Sequence, residues 1–254
     1  MNGHRFRVGT RVPAAATVAV TAALAVGGAA HADDDIESQS ARQISERAEE
    51  AVRSATSVHI TAKGDLDGAA PSGELDLRLD REGNCTGSVS MGDEGSVEII
   101  KRGETVWVKP DEAFWKNQLP GAGEEAAEIV KGRYLRGTTD DAMLSGLAEV
   151  CDLDAFLDSV SDARGAQVPL TKGRKTKVDG VDVIPVTGKH EGRTATMYVA
   201  TEGKPYPVRL NATGPGSKKA TVVLSDYDKP VPSATPPADR SVDISSLMDL
   251  RAEP

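Results

Sequence analysis

The hydrophobic period changes along the chain and divides it into blocks. Ile44, Ala48, Ala51, Val52 and Ala55 recur at i, i+4, i+7, i+8 and i+11. This is one apolar stripe on a helix of about four turns. Ser40-Ala41-Arg42-Gln43 precedes it as a capping box, with Ser accepting from the third backbone N–H while Gln reaches back. From Ser57 the period becomes two. Val58, Ile60 and Ala62 alternate with His59 and Thr61, and Leu75, Leu77 and Leu79 alternate with Asp76, Arg78 and Asp80. The second run has one apolar and one charged face, as a half-buried strand requires. Residues 85–91, 96–101 and 105–109 read as further strands, with turns at 81–84, 92–95 and 102–103. Together they predict an antiparallel meander that ends at Pro110.

A helical block follows. Residues 111–118 and 123–131 read as short helices, and 140–150 as a third carrying Met143, Leu144 and Leu147 on one face. Asp152 can cap a fourth, in which Leu153, Phe156, Leu157 and Val160 share a stripe. Period two then returns at 171–178, 182–187, 193–200, 207–212 and 220–227. Residues 229–240, with Pro230, Pro232, Pro236 and Pro237, predict an extended segment. A short amphipathic stretch, 241–250, ends the chain. Strands in runs with grouped helices predict an α+β antiparallel fold, with one sheet face toward water and the other toward helices or a ligand.

The first residues change the picture. Arg5, Arg7 and Arg11 precede an apolar run at 14–26, then Gly27-Gly28 and Ala30-His31-Ala32. Basic, apolar, small-x-small is the order of a secretory signal peptide cut after Ala32. The run is short for a membrane span, which needs about 20 apolar residues. No adjacent Arg pair precedes it and no Cys lies near the cut, so neither a twin-arginine route nor a lipid anchor is expected. Residues 1–32 are read as the signal peptide and 33–39 as a loose tail. Residues 40–228 are read as one domain with a helical insert at about 111–162, and 229–254 as a terminal segment.

Cleavage removes three Arg and leaves 27 Lys and Arg against 39 Asp and Glu, a balance of −12. That argues against nucleic acid as a partner, since such binding relies on cations neutralising phosphates. Two cysteines, Cys85 and Cys151, remain in an exported chain. An even count there favours one disulfide over two buried thiols. It would staple the insert to the sheet.

Catalytic chemistry is sought and not found. Gly87-Ser88-Val89-Ser90-Met91-Gly92 misplaces the glycines of a nucleophile elbow. His59, on a polar strand face, and His190, in a turn, read as solvated. Asp65-Leu66-Asp67-Gly68 carries part of a calcium loop and lacks the rest. No phosphate-binding loop is present, and no metal or cofactor is expected. Lys172, Arg174, Lys175 and Lys177 form a basic cluster that reads as a solvated strand face or as a rim for anionic headgroups. Trp107 and Trp115 read as anchors between helix and sheet or as the lining of a cavity mouth.

The order of motifs carries a resemblance. The capped helix leads into Gly83-Asn84-Cys85-Thr86-Gly87, then Val106-Trp107-Val108-Lys109-Pro110 with Phe114-Trp115. Later come Met197-Tyr198-Val199-Ala200, Gly203-Lys204-Pro205-Tyr206-Pro207-Val208-Arg209-Leu210 and Leu224-Ser225-Asp226-Tyr227. Over residues 40–240 the chain resembles actinobacterial exported proteins of the LppX/LprG type and the LolA-like half-barrel superfamily. The resemblance implies a strongly curved antiparallel sheet over helices, an apolar cavity and no catalytic residues. It departs in lacking a lipobox cysteine. The function expected is a secreted, non-enzymatic carrier of a lipid or other apolar ligand. Candidate cavity residues are Ile60, Leu75, Leu77, Leu79, Val106, Trp115, Met143, Leu144 and Leu147. The same residues would equally build a plain core, and the alternative function is a module that binds a protein partner.

Overall fold

The computed structural model describes residues 35–66, 70–118, 123–162, 168–190 and 192–245. The expected signal peptide and its cut after Ala32 lie outside the described residues.

Helix α1 spans Ala41–Ser54, and both arms of its capping box are formed. Ser40 donates its backbone N–H to Gln43 Oε1 at 3.0 Å, and Ser40 Oγ accepts from Gln43 N at 3.3 Å. Five strands follow: β1 (Ser57–Leu66), β2 (Ala70–Asp80), β3 (Cys85–Ser90), β4 (Ser96–Arg102) and β5 (Thr105–Pro110). Helices α2 (Glu112–Gln118) and α3 (Gly123–Val130) come next. Then come β6 (Tyr134–Thr138), α4 (Ser145–Glu149) and α5 (Leu153–Asp162). The second strand run is β7 (Leu170–Lys172), β8 (Thr176–Val178), β9 (Val181–His190), β10 (Arg193–Ala200), β11 (Pro207–Thr213) and β12 (Lys219–Ser225). A last strand, β13 (Ser241–Asp243), lies near the end.

All thirteen strands join one sheet in the order β13-β6-β5-β4-β3-β2-β1-β12-β11-β10-β9-β7, with β8 also on β9. Two antiparallel meanders, β1–β6 and β9–β12, are thus zipped together through β1 and β12. The sheet is curved and unclosed, and the fold is an α+β half-barrel.

Register shows why one face is apolar throughout. Ile60 stands opposite Leu224 and Leu77, and the same row continues through Gly87, Ile99, Val108 and Leu135. These side chains pack with Trp115, Val130, Leu144, Ala148, Leu153 and Leu157 of the insert into the main core. On the other meander Ile184, Val186, Met197 and Val199 pack against Ile44 and Ala48 of α1. Met197 stands opposite Leu210, Leu210 opposite Val222, and Val222 opposite Ala62. Helix α1 and the insert therefore cover the same, inner face.

Cys85 and Cys151 form the disulfide, with Cα atoms 5.5 Å apart. Arg81 reinforces it from the same end of the sheet. Its guanidinium donates to the carbonyls of Ala55 (2.8 Å) and Arg53 (2.7 Å) and pairs with Asp154.

Several elements differ from the sequence reading. The insert is not all helical, because β6 interrupts it and extends the sheet. Only Leu135 and Gly137 of β6 face inward, too few to register as a period. The helix expected at 140–150 is shortened to α4. Asp141 Oδ2 accepts from the backbone N–H (2.5 Å) and hydroxyl (3.1 Å) of Thr138, a local bond that favours a turn over helix. The strand expected at 171–178 splits into β7 and β8. The N-terminal stretch is not loose from Asp35 onward. Ile36–Ser38 forms a 3-10 turn, Ile36 is buried, and Lys172 Nζ donates to the carbonyls of Glu37 and Gln39. The final stretch begins as β13, which pairs in parallel with β6 and carries Ile244 into the main core.

Residues 226–240 cross from β12, in the middle of the sheet, to β13 at its edge. Seven strand spacings of about 4.8 Å must be bridged, roughly 34 Å, and fifteen extended residues reach about 47 Å. Ser57 Oγ donates to Lys229 O at 2.6 Å near the start of the crossing. Arg102 holds its middle, donating to the carbonyls of Pro232 and Ala234 as well as to those of Cys85 and Lys101.

Candidate functional site

The inner face is not covered evenly. Next to the hairpin tips, one cross-strand row runs Gly188, Ala195, Ala212, Ala220, Gly64 and Gly73. None of these six residues has a side chain larger than a methyl group, and Leu170, opposite Gly188 on β7, closes one end of the row. Ala195 and Ala212 are exposed, so neither α1 nor the insert reaches them. Gly64 and Gly73 are required by close backbone approach. A Cβ on Gly64 (φ 110°) would overlap the carbonyl oxygen of Lys219, and one on Gly73 would overlap that of Ser90. The β1–β2 register also shifts between Gly64 and Leu66. Glycines and a register shift are the devices by which a sheet curls.

The next inner row deepens this strip into a furrow. Leu210, Val222, Leu75 and Val89 stand along it, each half-buried, with fully buried Ala62 between Val222 and Leu75. Leu75, Leu210 and Val222 touch the main core on one side. The result is an apolar trough with a Gly/Ala floor between the region packed on α1 and the region packed on the insert. Its insert-side shoulder is fixed by Asp111. Asp111 Oδ1 accepts from Phe114 N at 2.8 Å, and Oδ2 accepts from Ser96 N at 2.9 Å and Ser96 Oγ at 2.7 Å. Burial pushes the Asp111 carboxyl up, but these donors outweigh it and hold it below the usual carboxylate range.

The residues named from sequence fall into three groups. Ile60, Leu77, Leu79, Val106, Trp115 and Leu144 are buried in the main core, with Phe114 edge-on to Trp115 at 5.9 Å between centroids. Leu75 and Leu147 are half-buried at the margin of that core, Leu75 in the trough row. Met143 is 42% exposed, outside the core. The trough floor was not named from sequence, because its six residues come from strands far apart in the chain. The only sequence signal was a small residue near each hairpin tip.

A polar cleft of about 370 Å³ opens beside the disulfide. Asp80, Arg81, Lys101, Glu149, Cys151 and Asp154 are among its lining residues. Its charges are mixed and several are engaged: Lys101 Nζ donates to Gly83 O, and Asp80 accepts from the backbone N–H groups of Glu82 and Asn84.

The outer face is polar. His59, expected to be solvated, is instead largely enclosed in a network across three strands. Its Nε2 lies 2.8 Å from Asp76 Oδ1, and its Nδ1 lies 3.3 Å from Ser225 Oγ and 3.8 Å from Asp226 Oδ2. Trp107 shares this outer face, since its row partners are Ile100 and Arg136. The basic cluster largely serves as structure: Lys172 and Lys175 tie down Glu37 and its neighbours, and Lys177 pairs with Asp182 at 3.2 Å. Among the described residues no group of three or more His, Cys, Asp or Glu could hold a metal ion. No described helix is long and apolar enough to cross a membrane.

No family model matches the sequence, and no curated protein is similar to it in sequence. Solved structures do resemble it. LprF from Mycobacterium bovis superposes with a TM-score of 0.53 at 16% identity, covering 77% of this chain and 96% of that one. The lipoprotein LppX of Mycobacterium tuberculosis gives a TM-score of 0.48 at 16% identity, covering 76% and 98%. A putative outer membrane lipoprotein-sorting protein domain from Vibrio parahaemolyticus gives 0.26 at 8% identity, covering 76% and 94%. The chain has the fold of LprF.

Proposed function

We propose that this protein is an extracytoplasmic, non-enzymatic binding protein that takes an alkyl chain of a lipid or lipidated molecule into the inner-face trough. The observation that carries the reading is the row Gly188-Ala195-Ala212-Ala220-Gly64-Gly73 beside the half-buried Leu210, Val222, Leu75 and Val89. The exposed methyl groups of Ala195 and Ala212 leave room above them for a chain of methylenes, and the branched side chains of the next row supply its contacts. Each CH₂ buried contributes about 0.8 kcal/mol. Export through the N-terminal signal, with cleavage after Ala32, fits this role, as does the disulfide. The description of LppX as a lipoprotein is in keeping with an extracytoplasmic setting. Of the cavity residues named from sequence, Leu75 would touch the chain directly. Ile60, Leu77, Leu79, Val106, Trp115 and Leu144 would form the rigid base beneath it.

The test is to fill the trough. Ala212→Trp places an indole on its floor, whereas Thr213→Trp places one on the outer face of the same strand. Titration with a fluorescent C16 fatty acid should give at least tenfold weaker binding for Ala212→Trp and unchanged binding for Thr213→Trp. Saturable binding lost equally in both, or no binding by the parent protein, overturns the reading. Mass spectrometry of apolar material extracted from gently purified protein would identify the natural occupant.

A further inference from the structure

Charge is divided sharply along this acidic chain. The insert region, residues 111–162, holds twelve Asp and Glu against four Lys and Arg. Residues 168–225, which build β7 to β12, hold ten Lys and Arg against four Asp and Glu. Part of that excess is used internally by Lys172, Lys175 and Lys177. Of the other seven, Lys204 and Arg209 pair with Asp228 and Asp179, and four lie at two neighbouring hairpin tips. The β9–β10 tip carries Lys189, His190 and Arg193 around the single acidic Glu191, and the β11–β12 tip carries Lys218 and Lys219; these five basic residues are exposed.

Register gives this group its shape. Lys189 stands opposite Thr194, Thr194 opposite Thr213, and Thr213 opposite Lys219. The two lysines therefore share one outer-face row, three strand spacings or roughly 14 Å apart. Between them lie only threonines. The following outer row is uncharged across the same four strands: Thr187, Thr196, Asn211 and Thr221. Neither Lys189 nor Lys219 makes an ion pair among the described residues. Because side chains alternate along a strand, their neighbours on the inner face are Gly188 and Ala220, two residues of the trough floor.

We propose that the β9–β10 and β11–β12 tips are a docking surface for an anionic lipid headgroup layer. Cations within a Debye length of such a surface are attracted to it, and the attraction is screened by salt. Docked on its tips, the protein would bring the open end of the trough against the headgroups. The hydroxyls of Thr194 and Thr213 can bond phosphate and glycerol oxygens without adding repulsive charge, while Thr187 bonds Thr196 and Thr221 donates to Asn211 in the row behind them. The purpose of docking rests on the alkyl-chain reading above, but the surface itself does not.

The experiment uses residues 33–254, which contain every described element and exclude the basic, apolar leader that would bind membranes itself. Co-sedimentation is measured with vesicles of phosphatidylcholine alone and with 30% phosphatidylglycerol, at 50 mM and 500 mM salt. The parent protein should bind only the anionic vesicles and only at low salt. Lys189→Glu/Lys219→Glu should weaken that binding at least tenfold, and Lys116→Glu/Lys131→Glu, the same charge change in the insert, should leave it within twofold. Binding to neutral vesicles, equal loss in both double variants, or no vesicle binding with retention instead on a polyanion such as heparin would each overturn the proposal. Circular dichroism confirms folding of each variant. Fatty-acid titration of Lys189→Glu/Lys219→Glu separates the two ideas, because loss of docking with intact ligand binding touches this surface alone.

Discussion

Asp228 accepts hydrogen bonds from both the backbone N–H (2.9 Å) and the hydroxyl (3.2 Å) of Thr56, 172 positions earlier in the chain. Its other oxygen accepts from Tyr206 Oη at 2.8 Å and Lys204 Nζ at 3.2 Å. Tyr206 stacks on Tyr227 at 3.9 Å between centroids, and Tyr227 Oη donates to Pro207 O. One carboxylate thus fastens the entry to β1, the exit from β12 and the β10–β11 loop. The Thr56 N–H, the Tyr206 hydroxyl and Lys204 together pull its pKa down to about 2. A group depressed in the folded state is stabilising above its unfolded pKa, near 3.9, and loses that contribution as pH falls toward 2. Stability should therefore decline between about pH 4 and pH 2, and Asp228→Asn should flatten the decline. Asn suits the positive φ of 60° at this position. Urea titrations at pH 2.5 and 6 check it, and an unchanged pH slope in the variant would refute the assignment.

Gly64 and Gly103 both have positive φ but should differ in cost. Nothing lies within 4 Å of a Cβ built on Gly103, so Gly103→Ala should lose only the left-handed penalty, about 1–2 kcal/mol. Gly64→Ala adds overlap with the Lys219 carbonyl where β1 meets β12, and should lose more than about 3 kcal/mol. Denaturant midpoints of the two variants decide. Equal losses would mean that the sheet can relax at the bend.

The disulfide closes a separation of 66 residues. Chain-entropy arithmetic for that loop gives about 4 kcal/mol at 25 °C, with a typical range of about 2–4. Cys85→Ser/Cys151→Ser should therefore unfold at distinctly lower urea. Alkylation of the denatured, unreduced parent should label neither sulfur.

Arg102 is the only described side chain that bonds the crossing segment at its middle. Arg102→Lys keeps the charge but cannot reach four carbonyls. Hydrogen exchange at residues 233–240 should accelerate at least tenfold, with exchange in β1 and β12 unchanged. Acceleration throughout the sheet would instead mean that Arg102 supports global stability.

Much of this fold was legible because its signals are local. Ser40 and Gln43 announce α1 within four residues, and Leu75, Leu77 and Leu79 declare an inner face with no knowledge of their neighbours. The two cysteines announce a covalent tie through an even count in a chain whose first residues read as an export signal. What stayed hidden depends on partners far apart in sequence. Tyr134–Thr138 has two inward positions and becomes a strand because β5 and β13 offer it edges. Ile36 looks like part of a polar tail until Ile184 and Val186 are folded beneath it. The trough floor is the clearest case. Gly188 and Gly64 lie far apart in the chain, and only the register through Ala195, Ala212 and Ala220 makes them one surface. Leu77 and Leu144 could be read as cavity or core, since both uses demand the same apolar side chains.

The route of residues 226–240 has a consequence for synthesis. β6 is complete early, yet its edge waits for Ser241–Asp243, which are more than a hundred residues downstream. A chain made or threaded across a membrane from its N-terminus must carry that edge unpaired until its last turn of residues emerges. During that interval the Tyr134–Thr138 strand is open to pairing with any extended segment nearby. Premature termination between Ser225 and Ser241 would leave two meanders zipped and a disulfide able to form, but no strand to seal the edge. Such truncated products should be the species that self-associate, and Ser241–Asp243 act as the seal on that edge.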